Sequence, residues 1–89
     1  MADINYCYRK NEEIMCKEFT DRFYLVDPYR RVLMELNETA FAVWKLIDGE
    51  HSMFQIIEVI ARDFAVDKNT AEKDVLKLLK DLSSREVIL

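Results

Sequence analysis

The spacing of hydrophobic residues changes near Asn37, and this change constrains the fold of the 89-residue chain more than any other feature. Before Asn37, short runs of β-branched and aromatic residues are bounded by turn residues, which is typical of strands. After Asn37, apolar residues recur three and four positions apart, which is typical of amphipathic helices. The length suits one small domain. The sequence therefore predicts one α+β domain in which strands come first and helices follow.

Three strands are predicted, over residues 14–20, 22–27 and 31–36. The segments between them are short, so neighbouring strands are expected to run antiparallel. Asp27-Pro28 marks the second turn, because proline presets its own φ and biases the preceding residue away from helix. One face of the third strand is predicted to point into the core: Val32, Met34 and Leu36. Leu33 is left on the opposite face, among charged residues.

Three helices are predicted after the strands. Asn37 is expected to cap the first, over residues 38–48, and Gly49 to end it. Ser52 and Gln55 form a capping-box pattern that opens a second helix to about residue 64. Asn69 is expected to open the third, which runs to about residue 84 with a core stripe of Ala71, Val75, Leu78 and Leu82. The apolar residues 87–89 are predicted to form a short extended segment against the core.

The chain lacks the residues that most catalytic and cofactor sites need. With a single glycine, Gly49, it cannot contain a glycine-rich phosphate loop. Two cysteines, Cys7 and Cys16, make neither a disulfide framework nor a C-x-x-C pair, and Cys16 is expected to be a small buried residue. His51 has no second imidazole for a metal site and is expected to be an exposed turn residue. These observations predict a protein that is not an enzyme and uses no cofactor.

The chain shows no targeting or membrane-spanning segment. Its first ten residues lack the apolar stretch of a secretory signal, and its most apolar run is far shorter than the ~20 residues that span a bilayer. Lys and Arg total 13 and Asp and Glu total 17, which gives a net charge of −4. We expect a soluble cytoplasmic domain over residues 14–89, preceded by an N-terminal tail over residues 1–13.

Two surface features suggest a binding role. A three-stranded sheet has two edge strands with unpaired backbone groups, and an extended peptide can add there as a further strand. Leu76 and Leu79 extend the apolar arc of the third helix along one flank, and with Leu33 they would line a shallow groove. The alternative is that Leu79 belongs to the core and Leu76 is a single exposed leucine. Periodicity does not separate the two readings.

The strand-to-helix junction resembles that of the coenzyme PQQ synthesis protein D family. The run R-V-L-M-E-L-N-E-T-A over residues 31–40 is similar to the family's R-V-L-x-L-N-x-T-A pattern, with one extra residue. W-K-L-I-D-G over residues 44–49 resembles the family segment W-x-L-[LI]-D-G. Residues 52–60 and the last helix continue the similarity, which extends over residues 14–89. A glycine that the family has near the chain end is replaced by Glu86.

This resemblance implies a winged helix-turn-helix-like domain that acts as a peptide-binding adaptor. Such domains hold the leader of a ribosomally made precursor peptide as a strand added to the third strand, facing the third helix. They present it to a modifying enzyme, often a radical S-adenosylmethionine (SAM) protein. In this chain the resemblance implies the following peptide-binding residues: Arg30, Arg31, Val32, Leu33, Met34, Glu35, Leu76, Lys77, Leu79 and Lys80. Their basic members would suit an acidic leader.

Two other functions compete with the adaptor. A DNA-binding winged helix would place the third helix in the major groove, but the net charge is −4, and Glu72 and Asp74 lie where base-reading residues would sit. An oligomerising subunit would instead pair with a second copy through its sheet edge. We expect the adaptor, as a monomer or weak dimer with no affinity for nucleic acid or membrane.

Overall fold

The computed structural model describes residues 4–89, apart from the side chain of Val32. Three strands come first: β1 (Met15–Glu18), β2 (Phe23–Asp27) and β3 (Val32–Leu36). Three helices follow: α1 (Glu38–Leu46), α2 (Met53–Asp63) and α3 (Lys68–Ser84). The predicted order of elements is confirmed, although each strand is shorter than predicted. Among the described residues, no helix is long and apolar enough to cross a membrane.

The strands form one antiparallel sheet in the order β1-β2-β3, as the short connections predicted. Leu25 of β2 lies opposite Cys16 of β1 and Met34 of β3, on the face that packs against the helices. Val26 lies opposite Met15 and Leu33, on the outer face. Directly opposed residues point to the same side of a sheet, so the register assigns every strand residue to one of two faces.

The core lies between the inner face of the sheet and the three helices. Leu25 and Leu36 come from the sheet, and the helices add buried residues from each of their apolar stripes, including Val43, Ile56, Val75 and Leu79. Phe23 stacks on Phe41 of α1 with ring centroids 3.9 Å apart, which fixes the sheet against the first helix. Val87 and Ile88 are also buried, so the apolar end of the chain packs against the core as predicted.

Side chains define the start of each helix. The Asn37 side chain accepts a hydrogen bond from the Ala40 N–H, and Ser52 and Gln55 form both bonds of a capping box, as predicted. The third start was predicted wrongly. Asp67, rather than Asn69, caps α3 and accepts from the Thr70 N–H at 2.9 Å. Aspartate and asparagine are both good N-caps, and spacing alone did not distinguish them.

The connection from α1 to α2 begins earlier than predicted, because α1 ends at Leu46 and not at Asp48. The Asp48 carboxylate accepts hydrogen bonds from the N–H groups of His51 and Glu50, each at 2.9 Å. These bonds, followed by the bond from the His51 ring, lower the pKa of Asp48 to about 2 despite some desolvation. Gly49 adopts a φ of +82°, which only glycine takes without strain.

The described part of the N-terminal segment, residues 4–13, lies against the rest of the chain. The backbone carbonyls of Ile4, Tyr6 and Tyr8 accept hydrogen bonds from Phe54, Met53 and Gly49, around the start of α2. Further along, the segment pairs with the C-terminal end, where Arg9 and Leu89 exchange two backbone hydrogen bonds. The first described residues therefore connect the α1–α2 loop to the end of the chain.

Candidate functional site

The free edge of β3 is the first element of the candidate site. β3 pairs with β2 on one side only, and in the described residues no strand lies on its other side. Backbone N–H and C=O groups on an edge are directed toward solvent or toward an added strand. Met34 and Leu36 anchor β3 to the core from its inner face, while Leu33 and Glu35 are exposed on its outer face. The edge is therefore held rigidly and remains accessible.

A cleft of about 650 Å³ lies between the start of α1, directly after β3, and α3. Its first wall is the N-cap and first turn of α1: Asn37, Thr39 and Ala40. Its second wall is one flank of α3, formed by Asp74, Lys77, Leu78 and Asp81. The floor is partly apolar and the rim carries charges of both signs. Such a surface has groups for both the apolar and the polar side chains of a bound peptide.

The start of β3 is also tied to α3, through a buried carboxylate in the β2–β3 turn. Asp27 is 1% exposed, and its Oδ1 accepts hydrogen bonds from the N–H groups of Tyr29 and Arg30. The Arg30 guanidinium donates to Asp27 Oδ2 at 2.6 Å and also pairs with the carboxylate of Glu86, just beyond α3. The turn before β3 is thus tied to the residues just beyond α3, at the opposite end of the strand from the cleft.

The environment of Asp27 keeps it ionised. Desolvation by burial acts to raise the pKa of this carboxyl, but the hydrogen bonds from Arg30 and Tyr29 together outweigh it and leave the pKa below its ordinary value of 3.8. The sequence identified a turn at Asp27-Pro28 but did not reveal that its carboxylate is buried and paired. An aspartate directly before a Pro-x-Arg turn was the available signal.

The structure divides the predicted binding residues between two places. Lys77 lines the cleft beside the end of β3. Leu76, Leu79 and Lys80 lie on the opposite flank of α3, in a separate depression of about 430 Å³ that Tyr8 and Met53 also line. The predicted groove joined that flank to β3, and this juxtaposition is wrong. Leu79 is 1% exposed and belongs to the core, which was the alternative left open.

Helical periodicity does not show which flank of α3 packs beside the sheet. At ~100° per residue, α3 has two flanks beside its core stripe, and only the tertiary arrangement decides which of them faces the sheet. Leu78, assigned to the core stripe, is half-buried and lines the β3 cleft instead. Of the predicted strand residues, Arg30 is engaged by Asp27 and Glu86, while Arg31 is exposed at the turn with a φ of 55°. Peptide contact by any of these residues remains a prediction.

The cysteines and the histidine form no site with each other. Cys16 is exposed, contrary to the expected buried position: it lies opposite Leu25 on β1, a strand whose four residues are all exposed. Partial desolvation and then Glu18 raise the pKa of its thiol, which disfavours the reactive thiolate. The His51 ring bonds to Asp48 at 2.8 Å in the α1–α2 turn. Within residues 4–89 no group of three or more metal-ligating side chains is found.

Known proteins are similar to this chain in sequence and in fold. A bifunctional coenzyme PQQ synthesis protein C/D of Methylorubrum extorquens is 30% identical over 71 residues, which are 80% of this chain and 18% of that protein. A PqqA binding protein of Methylococcus capsulatus is 36% identical over 52 residues, 58% of this chain and 54% of that protein. The chain therefore spans about a fifth and about half of the lengths of these two relatives.

Two solved structures superpose on nearly the whole chain. A lasso peptide synthetase B1 complexed with its leader peptide has a TM-score of 0.82 and 22% identity, and the match covers 93% of this chain and 98% of that one. The PqqD truncation of Methylobacterium extorquens PqqCD, described as a RiPP recognition element, has a TM-score of 0.75 and 25% identity, over 92% and 87% of the two chains.

The family assignment rests on the family model of coenzyme PQQ synthesis protein D (PqqD), which matches residues 22–88. This range contains β2, β3 and all three helices, and so includes the free edge and the cleft beside it. The resemblance seen at the strand-to-helix junction is confirmed. The chain belongs to the coenzyme PQQ synthesis protein D family.

Proposed function

We propose that this protein is a peptide-binding adaptor for the leader of a ribosomally made precursor peptide. The leader adds as a fourth strand to the edge of β3, and its inward side chains enter the cleft between the end of β3 and α3. The observation that carries the proposal is the free β3 edge, which ends at an open cleft of about 650 Å³. Strand addition gains main-chain hydrogen bonds, and the cleft supplies pockets for alternate side chains.

Relatives support this mode of action. One relative is a PqqA binding protein, and one superposable structure contains a bound leader peptide. A further superposable structure is described as a stand-alone recognition element for modified ribosomal peptides. Since these proteins are named for binding or recognition, we propose that a separate enzyme modifies the peptide while this protein presents it. We propose a radical SAM protein as that enzyme, acting in PQQ or related peptide biosynthesis.

The structure argues against the DNA-binding alternative. A winged helix that reads DNA places the N-terminal turns of its recognition helix in the major groove. The N-cap and first turns of α3 carry three carboxylates against two lysines, so this end of the helix has no excess positive charge for the phosphate backbone: Asp67, Glu72 and Asp74 against Lys68 and Lys73. The flank of α3 beside the sheet is equally mixed in charge, with Lys77 between Asp74 and Asp81.

Titration followed by NMR tests the adaptor directly. The probe is a synthetic PqqA peptide, which a relative of this chain is named as binding, added to the ¹⁵N-labelled 89-residue protein. We expect the amide signals of β3 to shift together with those of Lys77 and Leu78, because these groups border the proposed strand position. Shifts confined to residues elsewhere, or no shift at millimolar peptide, would refute the proposal.

Two charge reversals of equal size identify the flank of α3 that the peptide uses. Lys77→Glu changes the cleft beside β3, and Lys80→Glu changes the opposite flank. For an acidic leader we expect Lys77→Glu to weaken binding about two- to fivefold, the range of one exposed ion pair. Lys80→Glu should have the smaller effect. The reverse order would instead place the peptide on the flank of Leu76 and Lys80.

A further inference from the structure

The outer face of the sheet carries a shallow apolar depression that the proposed cleft does not use. It has a volume of about 360 Å³ and is lined by Lys17, Phe19, Tyr24, Val26 and Leu33. Phe19 is 63% exposed and Leu33 68% exposed, and the Phe19 ring packs edge-on against Tyr24 at 5.8 Å. Lys17 is the only charged member of this lining, so the depression offers mainly apolar contact.

The depression extends across the sheet to the edge at which a peptide would add. Leu33, on β3, is its outermost member, and Val26 lies directly opposite Leu33 on β2. A further strand beside β3 would lie ~4.8 Å away, and one of its outward residues would face Leu33 with Cβ atoms ~5 Å apart. A long or aromatic side chain at that position can lie across Leu33 and contact Val26 as well.

We propose that this depression is a specificity subsite for one large apolar side chain of the leader peptide, at the outward-facing position paired with Leu33. The inference rests on the function proposed above and adds a second set of contacts to it. The inner face of the added strand would be selected by the cleft beside α3, and its outer face by Leu33 and Val26. The leader would then carry apolar residues on both faces at neighbouring positions, in place of strict alternation.

Continuity with the β3 edge favours the peptide as the occupant. An added strand brings its own outward side chains over Leu33 without any further partner, and burying an exposed leucine beside an apolar residue is favourable. The other edge of the sheet is less suited, because β1 has only four residues and its member of the depression is the charged Lys17. The occupant is therefore the strand that also fills the cleft.

Peptide display followed by a double-mutant cycle tests the subsite. Random 12-residue peptides are selected on the immobilised 89-residue protein, and the best peptide is synthesised together with variants that carry serine at each apolar position. We expect Leu33→Thr and Val26→Thr each to weaken the parent peptide about three- to fivefold, the upper range of one cross-strand pair. One serine variant should lose this sensitivity, which identifies the residue paired with Leu33.

Met15→Thr is the matched control. Met15 lies on the same sheet face and opposite Val26, but on β1 and outside the depression, so its change should leave the affinity unaltered. Peptides that bind with equal affinity to the parent protein and to Leu33→Thr would overturn the subsite and leave the adaptor function standing. Failure to select any peptide would overturn both. A dimer that Leu33→Thr dissociates in sedimentation would assign the face to a second copy and also overturn the subsite.

Discussion

At the scale of single residues, Asp27 links the binding edge to the rest of the fold. Its carboxylate is buried, accepts two backbone hydrogen bonds within the β2–β3 turn, and holds Arg30 in place for its contact with Glu86. A buried carboxylate is tolerated only when such partners replace water. The turn that leads into β3 therefore depends on the Asp27 carboxylate.

Substitution of Asp27 should destabilise the protein in a graded way. Asp27→Asn keeps an oxygen for the two backbone N–H groups but loses the ion pair, whereas Asp27→Ala loses every bond. We expect thermal midpoints in the order parent, Asp27→Asn, Asp27→Ala, with Asp21→Asn at an exposed turn as the neutral control. An Asp27→Ala midpoint equal to that of the parent would contradict this role.

Asp27 should also contribute to the loss of the free energy of unfolding at acid pH. Its folded pKa lies below the ordinary 3.8, so its contribution is present above that value and is lost as the pH falls toward the folded pKa. Asp27→Asn removes the titrating group. Urea unfolding between about pH 5 and pH 2 should therefore show a shallower loss of stability for Asp27→Asn than for the parent.

At the scale of elements, the capping residues in the sequence were sufficient to predict where two of the three helices begin. Asn37 and Ser52 directly precede apolar helical stripes, and both cap the helices as predicted. Before α3, Asp67 and Asn69 are both good caps, and the structure uses the first. The helix flank facing β3 was not predictable, because a 3.6-residue period defines stripes without saying which neighbour each one meets. Leu78 thus lines the cleft, and Leu76 lies on the other flank of α3.

The two candidate caps of α3 give a paired test of this point. Asp67→Ala removes the acceptor for the Thr70 N–H and should lower the free energy of unfolding by about 1 kcal/mol. Asn69→Ala lies within the helix, where alanine has the higher propensity, and should leave stability unchanged or raise it by a few tenths of a kcal/mol. Urea denaturation of both variants measures the difference. If Asn69→Ala lowered the free energy of unfolding more than Asp67→Ala, Asn69 would be the N-cap, as the sequence predicted.

At the scale of the whole molecule, the N-terminal segment and the C-terminal end form a second, smaller set of contacts. The Asn11 N–H donates to the carbonyl of Val87, and Lys10 lies 5.0 Å from the ring centroid of Trp44. The Asn11 side chain also donates to the carbonyl of Glu86, which pairs with Arg30 in the turn before β3. The family match begins only at residue 22, so this segment supports the matched domain from outside it.

Deletion of residues 1–13 tests the predicted domain boundary at residue 14. It measures separately what these residues contribute to stability and to peptide binding. The deletion removes the backbone partners of Met53, Val87 and Leu89 and uncovers apolar groups that are now almost fully buried, such as Met53 and Ile88. Partial exposure of two such side chains should lower the free energy of unfolding by about 2 kcal/mol. Because residues 4–13 neither line the cleft nor belong to β3, the truncated protein should bind the same leader with unchanged affinity below its unfolding temperature. Urea denaturation and calorimetric titration measure the two quantities.

Unchanged stability would show that residues 1–13 are a dispensable tail. Lost affinity in a folded truncation would show that the segment contributes to the binding surface.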